Sequence, residues 1–151
     1  MFDPKKAQRL KNILTANAQA VVLSVEEKKG STQRPTGLNT VNMLKMASTT
    51  LGMGPHHAMQ VAERLYMQGF LSYPRTESTG YPKGFDMEGT LYAQAYNRYW
   101  GSYVKGLLEQ GYTAPRPGKD VGDHPPITPM SSATENDIGG GDAWRLYDLI
   151  A

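Results

Sequence analysis

Between Asn39 and Gly69 the apolar residues fall into two blocks of helical spacing, with glycines between and after them. Val41, Leu44, Ala47 and Leu51 share one face, and Ala58, Val61, Ala62, Leu65 and Tyr66 share another. Asn39 or Thr40 suits the cap of the first block and Gly52 its end; Pro55 suits the opening of the second and Gly69 its close. The spacing predicts two short helices joined through Leu51-Gly52-Met53-Gly54, a helix-turn-helix that leads into an extended segment, Phe70-Leu71-Ser72-Tyr73. That segment stops at Pro74.

The flanking sequence follows the same helical bias. Residues 4–17 read as a basic helix with Pro4 in its first turn and Leu10, Ile13 and Leu14 at helical spacing. Ala20 to Val25, rich in β-branched residues, reads as a strand. Lys28 to Gly37 holds two glycines and a proline among polar residues, so a boundary is expected there, dividing residues 1–32 from 33–151. Thr76 to Gly89 is irregular, and residues 90–110 read as one or two helices. Gly111 to Met130 is irregular again, with five of the ten prolines. Ser132-Ala133-Thr134-Glu135 has the form of a capping box, and a last helix runs from Asp142 to Ile150. Its pattern is unfinished where the sequence stops, as expected of a piece of a longer chain. The fold class is mainly α.

Composition narrows the function classes. At 151 residues the chain has room for one domain and little more. Cysteine is absent, which excludes disulfides, cysteine-ligated metal and a thiol nucleophile within these limits. The longest wholly apolar run is Ala20-Val21-Val22-Leu23, far short of the ~20 residues of a membrane helix. The opening Met1-Phe2-Asp3-Pro4-Lys5-Lys6 has no apolar core behind it, so no secretory signal is expected. The net charge of +2 is unevenly spread. Residues 1–50 carry eight Lys/Arg against three Asp/Glu, whereas residues 101–151 carry four against seven. A basic leading third suits phosphate contacts or a solvated surface equally well.

Two places could carry chemistry. In Ser72-Tyr73-Pro74-Arg75-Thr76-Glu77, an extended backbone would point Tyr73 and Arg75 the same way. A guanidinium favours the phenolate and makes two-pronged contacts with phosphate, so the pair suits attack on a phosphodiester. Residue chemistry alone also allows the simpler reading of a half-buried aromatic beside a surface charge. In Asp120-Val121-Gly122-Asp123-His124-Pro125-Pro126, prolines would hold the His124 ring in one direction, ready to donate to a phosphate oxygen or move a proton. Asp120, Asp123 and His124 as metal ligands form a third reading, that of a metal hydrolase. His56-His57 reads as helix surface. Met43, Met46, Met53, Met59 and Met67 read as core or boundary filling. Tyr92, Tyr96, Tyr99, Trp100 and Tyr103 have the spacing of a packed helical face rather than a base-stacking surface. No phosphate-binding loop occurs, so nucleotide hydrolysis has no support.

Taken together, three motifs are similar to type IA DNA topoisomerases: Arg34-Pro35-Thr36-Gly37-Leu38-Asn39-Thr40-Val41, Ala58 to Tyr66 (AMQVAERLY), and Gly69-Phe70-Leu71-Ser72-Tyr73-Pro74-Arg75-Thr76-Glu77. Gly122-Asp123-His124-Pro125-Pro126-Ile127-Thr128-Pro129 and Gly141-Asp142-Ala143-Trp144-Arg145-Leu146-Tyr147 resemble the eukaryotic topoisomerase III beta group of that family. The resemblance runs from about Gln33 to Ala151, with residues 1–32 matching loosely as the tail of the preceding gate domain (helix plus strand). It implies a CAP-like, tyrosine-bearing catalytic domain over 33–151.

By that resemblance Tyr73 is the nucleophile on a single-strand phosphodiester, forming a 5′-phosphotyrosyl link and releasing a 3′-hydroxyl. Arg75 corresponds to the arginine on the scissile phosphate, and His124 to the histidine near it. Ser72, Thr76, Glu77 and Asp123 are supporting substrate-binding candidates. Resealing would need no ATP. The family's acidic metal centre belongs to an N-terminal Toprim domain, and its Asp-x-Asp-x-Glu has no counterpart here. The resemblance therefore implies Mg²⁺ held outside this chain, no metal ligands within it, and no relaxation of supercoils by this piece alone. Partners implied are single-stranded DNA or RNA, the rest of the topoisomerase chain and a Tudor-domain protein. The implied location is the nucleus, with the cytoplasm also open. The rival from another class is a non-catalytic helix-turn-helix nucleic-acid-binding module.

Overall fold

The computed structural model describes residues 3–16, 19 and 21–151. Among them are seven helices: α1 (Pro4–Ala16), α2 (Thr40–Leu51), α3 (Pro55–Met67), α4 (Met87–Gln94), α5 (Gly101–Gln110), α6 (Glu135–Ile138) and α7 (Gly141–Ile150). The described residues form no sheet, so the chain is mainly α as expected. It divides into two compact units, Met1–Thr32 and Gln33–Ala151.

In the first unit α1 begins at Pro4, and the Asp3 carboxylate accepts the Lys5 N–H at 3.0 Å, an N-terminal cap. The expected strand does not form over the described residues 21–25. Val21, Val22, Leu23 and Val25 are all exposed, and no partner strand pairs with them among the described residues. A β-propensity without a ladder to join leaves an extended segment rather than a strand. Ala20, the first residue of that expectation, and Asn17, the last of the expected helix, lie outside the described residues.

The second unit is built on the helix pair. Asn39 caps α2 by accepting the Asn42 N–H at 2.9 Å. Gly52 ends it in the left-handed region (φ 69°), a conformation that costs a residue with a Cβ roughly 1 kcal/mol or more. Pro55 opens α3 where its missing N–H has no helical partner to lose. Met43 and Ala47 of α2, Ala58, Val61, Ala62 and Leu65 of α3, and Ala143, Leu146 and Tyr147 of α7 together form the core. Arg145 of α7 donates to the Leu51 carbonyl at 2.8 Å, so α7 also covers the end of α2.

Two chain segments far apart in sequence close this unit. Residues 126–130 lie between Leu38 and the segment after α3, through isolated antiparallel bridges of Leu38 with Ile127 and Leu71 with Pro129. The Ile127 N–H donates to Leu38 at 2.7 Å, the Ser72 N–H to Thr128 at 2.9 Å, and the Met130 N–H to Phe70 at 2.9 Å. Pro126 and Pro129 have no N–H to give, which keeps these contacts from extending into a ladder. The loop at 76–80 is pinned in turn by the loop before His124. Thr79 and Gly80 both donate to the Lys119 carbonyl, at 2.8 and 3.0 Å. A Cβ on Gly118 would lie 2.1 Å from the Thr79 carbonyl oxygen, so only glycine permits this approach. Gly118→Ala is expected to lower stability by about 1–3 kcal/mol, read from the midpoint of urea unfolding.

Three local expectations need correction. The capping box is formed by Thr134 and Asp137, not by Ser132 and Glu135, because Thr134 is the extended residue before α6. The tyrosines of α4, α5 and the turn between them are not core. Tyr92, Tyr96, Tyr99 and Tyr103 are exposed, while Trp100 alone of that group packs inward, stacked on Trp144 with ring centroids 6.1 Å apart. The positions buried in this stretch are Gln94, Ala95, Asn97, Gly101 and Val104, so the tyrosine positions fall on the faces left outside. Met43 and Met53 are buried, but Met46 and Met67 lie on outer faces.

Candidate active site

Tyr73 stands two residues past Leu71, which is buried, and one before Pro74, which is fully buried. Both anchors hold the backbone of Ser72-Tyr73 against the core. The Tyr73 ring is half-buried and meets Tyr66 of α3 edge-on at 5.1 Å between centroids. On its other side the His124 ring lies 4.6 Å away at an interplanar angle of 59°. The Tyr73 hydroxyl has no hydrogen-bond partner among the described residues and is not sealed from solvent. A strand arriving from outside could therefore reach it.

Arg75 lies on the same side. Its Nε and Nη2 donate to Oε1 of Glu63 at 2.8 and 2.5 Å. Glu63 and Tyr66 are three residues apart on α3, hence neighbours on one helix face. That face receives both Tyr73, through Tyr66, and Arg75, through Glu63, although the backbone bends at Pro74 between them. Sequence reasoning missed Glu63 and placed Tyr66 in an apolar stripe. The i,i+3 spacing of a carboxylate and an aromatic just upstream of Tyr73 and Arg75 was the available signal.

The supporting candidates divide by what their atoms already do. Ser72 Oγ donates to the Pro126 carbonyl at 3.3 Å and accepts the Thr128 N–H at 2.9 Å. Thr76 is buried and donates to the His124 carbonyl at 2.8 Å, tying the backbone of the histidine to the tyrosine segment. The Asp123 carboxylate accepts the Glu77 N–H at 2.8 Å and the Ser78 hydroxyl at 2.7 Å. These three build the site and hold His124 beside Tyr73. Glu77 is exposed, and with Arg75, Asp123, Asn39 and Lys119 it lines an open cavity of about 710 Å³. Tyr73 lies outside that lining.

The titration of Asp123 is displaced. The Glu77 N–H first, then the Ser78 hydroxyl, hold its carboxyl well below its ordinary value of 3.8. A depressed carboxyl contributes stability above its unfolded value and loses it as pH falls through that value toward the folded one. Stability is thus expected to decline between about pH 5 and pH 2, and Asp123→Asn to flatten that acid limb. Urea midpoints measured across this range for both proteins check it.

Asp120 Oδ1 accepts the Gly122 N–H at 2.9 Å, and Asp123 is committed to the loop as described. Among the described residues no group of three histidine, cysteine or acidic side chains is placed to hold a metal ion. His57, on the surface of α3, is joined to Asp142 at 2.9 Å; that contact and Arg145 hold the Asp142 carboxyl below its ordinary range.

A half-buried tyrosine against a histidine, with an arginine two residues on held to the same helix, is a group suited to phosphodiester chemistry. A sequence model of the DNA topoisomerase family matches residues 1–151, and the chain belongs to that family, in its type IA class. It is 55% identical over 150 residues to human DNA topoisomerase 3-beta-1, covering 99% of this chain and 17% of that protein. It is 54% identical to Arabidopsis thaliana DNA topoisomerase 3-beta and 42% identical to the Drosophila melanogaster protein, with the same coverage. The chain thus spans about a sixth of the length of these relatives.

Proposed function

We propose that this chain is the tyrosine-bearing part of a topoisomerase III-like enzyme that cuts and reseals single strands by tyrosyl transesterification. The observation that carries the reading is the meeting of Tyr73 and His124, 51 positions apart in sequence, with ring centroids 4.6 Å apart and the Tyr73 ring only half-buried. Tyr73 Oη attacks the phosphorus, and the bond from phosphorus to the 3′-oxygen breaks. The proton lost by the phenol is balanced by the one gained by the departing 3′-hydroxyl. His124 is placed to hydrogen-bond in that region, and Arg75 to stabilise charge growing on the phosphate oxygens. One phosphate ester replaces another, so resealing is the same step reversed and needs no nucleotide. The α2–turn–α3 unit is read as a helix-turn-helix that carries the tyrosine segment.

Membership of this family, together with relatives about six times longer, supports the rest of the reading. Residues 1–32 are proposed as the end of a preceding gate domain and 33–151 as the catalytic domain. Mg²⁺ would be held by a Toprim domain elsewhere in the parent protein, and this piece alone would not relax supercoils. Single-stranded DNA or RNA is the proposed substrate, a Tudor-domain protein a proposed partner, and the nucleus the proposed site of action.

The test is covalent trapping in the intact parent protein with Mg²⁺. A single-stranded oligonucleotide labelled at its 3′ end is incubated with the enzyme and the reaction stopped with detergent. A labelled adduct is expected, because the 5′-phosphate fragment stays on the tyrosine. A folded parent that binds the strand but yields no adduct would leave the non-catalytic helix-turn-helix reading instead.

A further inference from the structure

Arg75 is not free to point anywhere. Its Nε and Nη2 both donate to a single oxygen, Oε1 of Glu63. Those two nitrogens form the lateral edge of the guanidinium, so holding them sets the plane of the group and the direction of its far end. Nη1 at that end has no partner among the described residues. The Glu63 side chain is 39% exposed and that of Arg75 58%, and ion pairs so exposed contribute little to stability, about 0–1 kcal/mol. Stability alone therefore gives the pair little purpose. Position gives it more.

Glu63 stands on α3 between Ala62, fully buried, and Leu65, also fully buried two residues on. Its backbone is thereby fixed to the core. Tyr66, one turn further along the same face, packs against Tyr73. A single face of α3 thus locates the tyrosine through a ring contact and the arginine through a carboxylate. Arginine binds phosphate through paired N–H groups in a fixed fork, and a fork that swings loses that match.

We propose that Glu63 is a positioning residue for strand cleavage, holding the lateral edge of Arg75 so that its free end meets the scissile phosphate. The proposal rests on the transesterification reading above. A carboxylate that simply occupied the place of the phosphate would act as a competitor, and its removal would strengthen strand binding. The positioning role demands the opposite pattern, in which removal slows chemistry and leaves binding nearly unchanged.

The experiment uses the intact parent protein with Glu63→Gln, Arg75→Lys and the double variant. It measures the single-turnover rate of adduct formation, single-strand affinity and the thermal unfolding midpoint. Glu63→Gln is expected to slow adduct formation roughly tenfold, as for coupled neighbouring groups, with strand affinity within about twofold and the midpoint unchanged. In the Arg75→Lys background it should have no further effect, because lysine has no lateral edge to hold. An unchanged adduct rate in Glu63→Gln would overturn the proposal, as would tighter strand binding with undiminished cleavage. So would the same tenfold loss in the lysine background, or a loss that follows a lowered midpoint. A wild-type parent that forms no adduct would instead sink the cleavage reading and this proposal with it.

Discussion

Replacing Tyr73 with phenylalanine in the parent protein is expected to abolish the covalent adduct, lowering its rate of formation by at least ~10³-fold. Phenylalanine keeps the ring and removes only the oxygen that attacks phosphorus in this reading. Ser72 and Thr76 are the nearest hydroxyls in sequence, and both are occupied: Ser72 with Pro126 and Thr128, Thr76 with the His124 carbonyl. The loss should be confined to chemistry. The ring itself contacts Tyr66 and His124, and those contacts survive in phenylalanine. The hydroxyl has no partner to leave behind among the described residues. Strand affinity is therefore expected within about twofold of wild type, and stability within about 0.5 kcal/mol. Adduct formation, strand binding and thermal unfolding measured side by side decide this. A marked loss of stability would mean that the hydroxyl itself supports the fold.

The largest stability effect is expected at Leu65. It is fully buried on α3 and belongs to the core that α2, α3 and α7 share. Leu65→Ala is expected to cost about 2–5 kcal/mol, since the methyl groups lost leave a cavity the surroundings only partly fill. Its functional consequence follows from its place. The Phe70 N–H donates to the Leu65 carbonyl at 2.9 Å, so the end of α3 and the start of the tyrosine segment move together. A loosened α3 would also carry Glu63 and Tyr66 away from Arg75 and Tyr73. Urea unfolding gives the stability change. Loss of cleavage at temperatures where most of the protein remains folded would show that α3 positions the site as well as supporting the fold.

Much of this was legible in the residues. Asn39, Gly52, Pro55 and Gly69 mark helix ends by their own backbone and side-chain chemistry, and α2 and α3 begin and end where these residues stand. Where the reading failed, the deciding information was elsewhere. Val21, Val22 and Val25 have the composition of a strand, but a strand exists only with a partner, and none pairs with them among the described residues. Tyr92, Tyr96, Tyr99 and Tyr103 are spaced like a packed face, yet burial depends on what lies beneath α4 and α5. The Thr134–Asp137 box could be told from the Ser132–Glu135 alternative only by which residue takes the extended conformation.

The sequence by itself determined the helix pair and its punctuation, because these depend on neighbours within a few residues, whereas Tyr73, Arg75 and His124 stood out as candidates through the resemblance of their motifs to a family. Tertiary structure decided that His124 stands against Tyr73, that Asp123 and Thr76 serve as its supports, and that Glu63 takes hold of Arg75. Those outcomes turn on contacts between segments as much as 89 residues apart. They are set by the Leu38–Ile127 and Leu71–Pro129 bridges and by the close approach of Gly118 to Thr79, which no local propensity encodes.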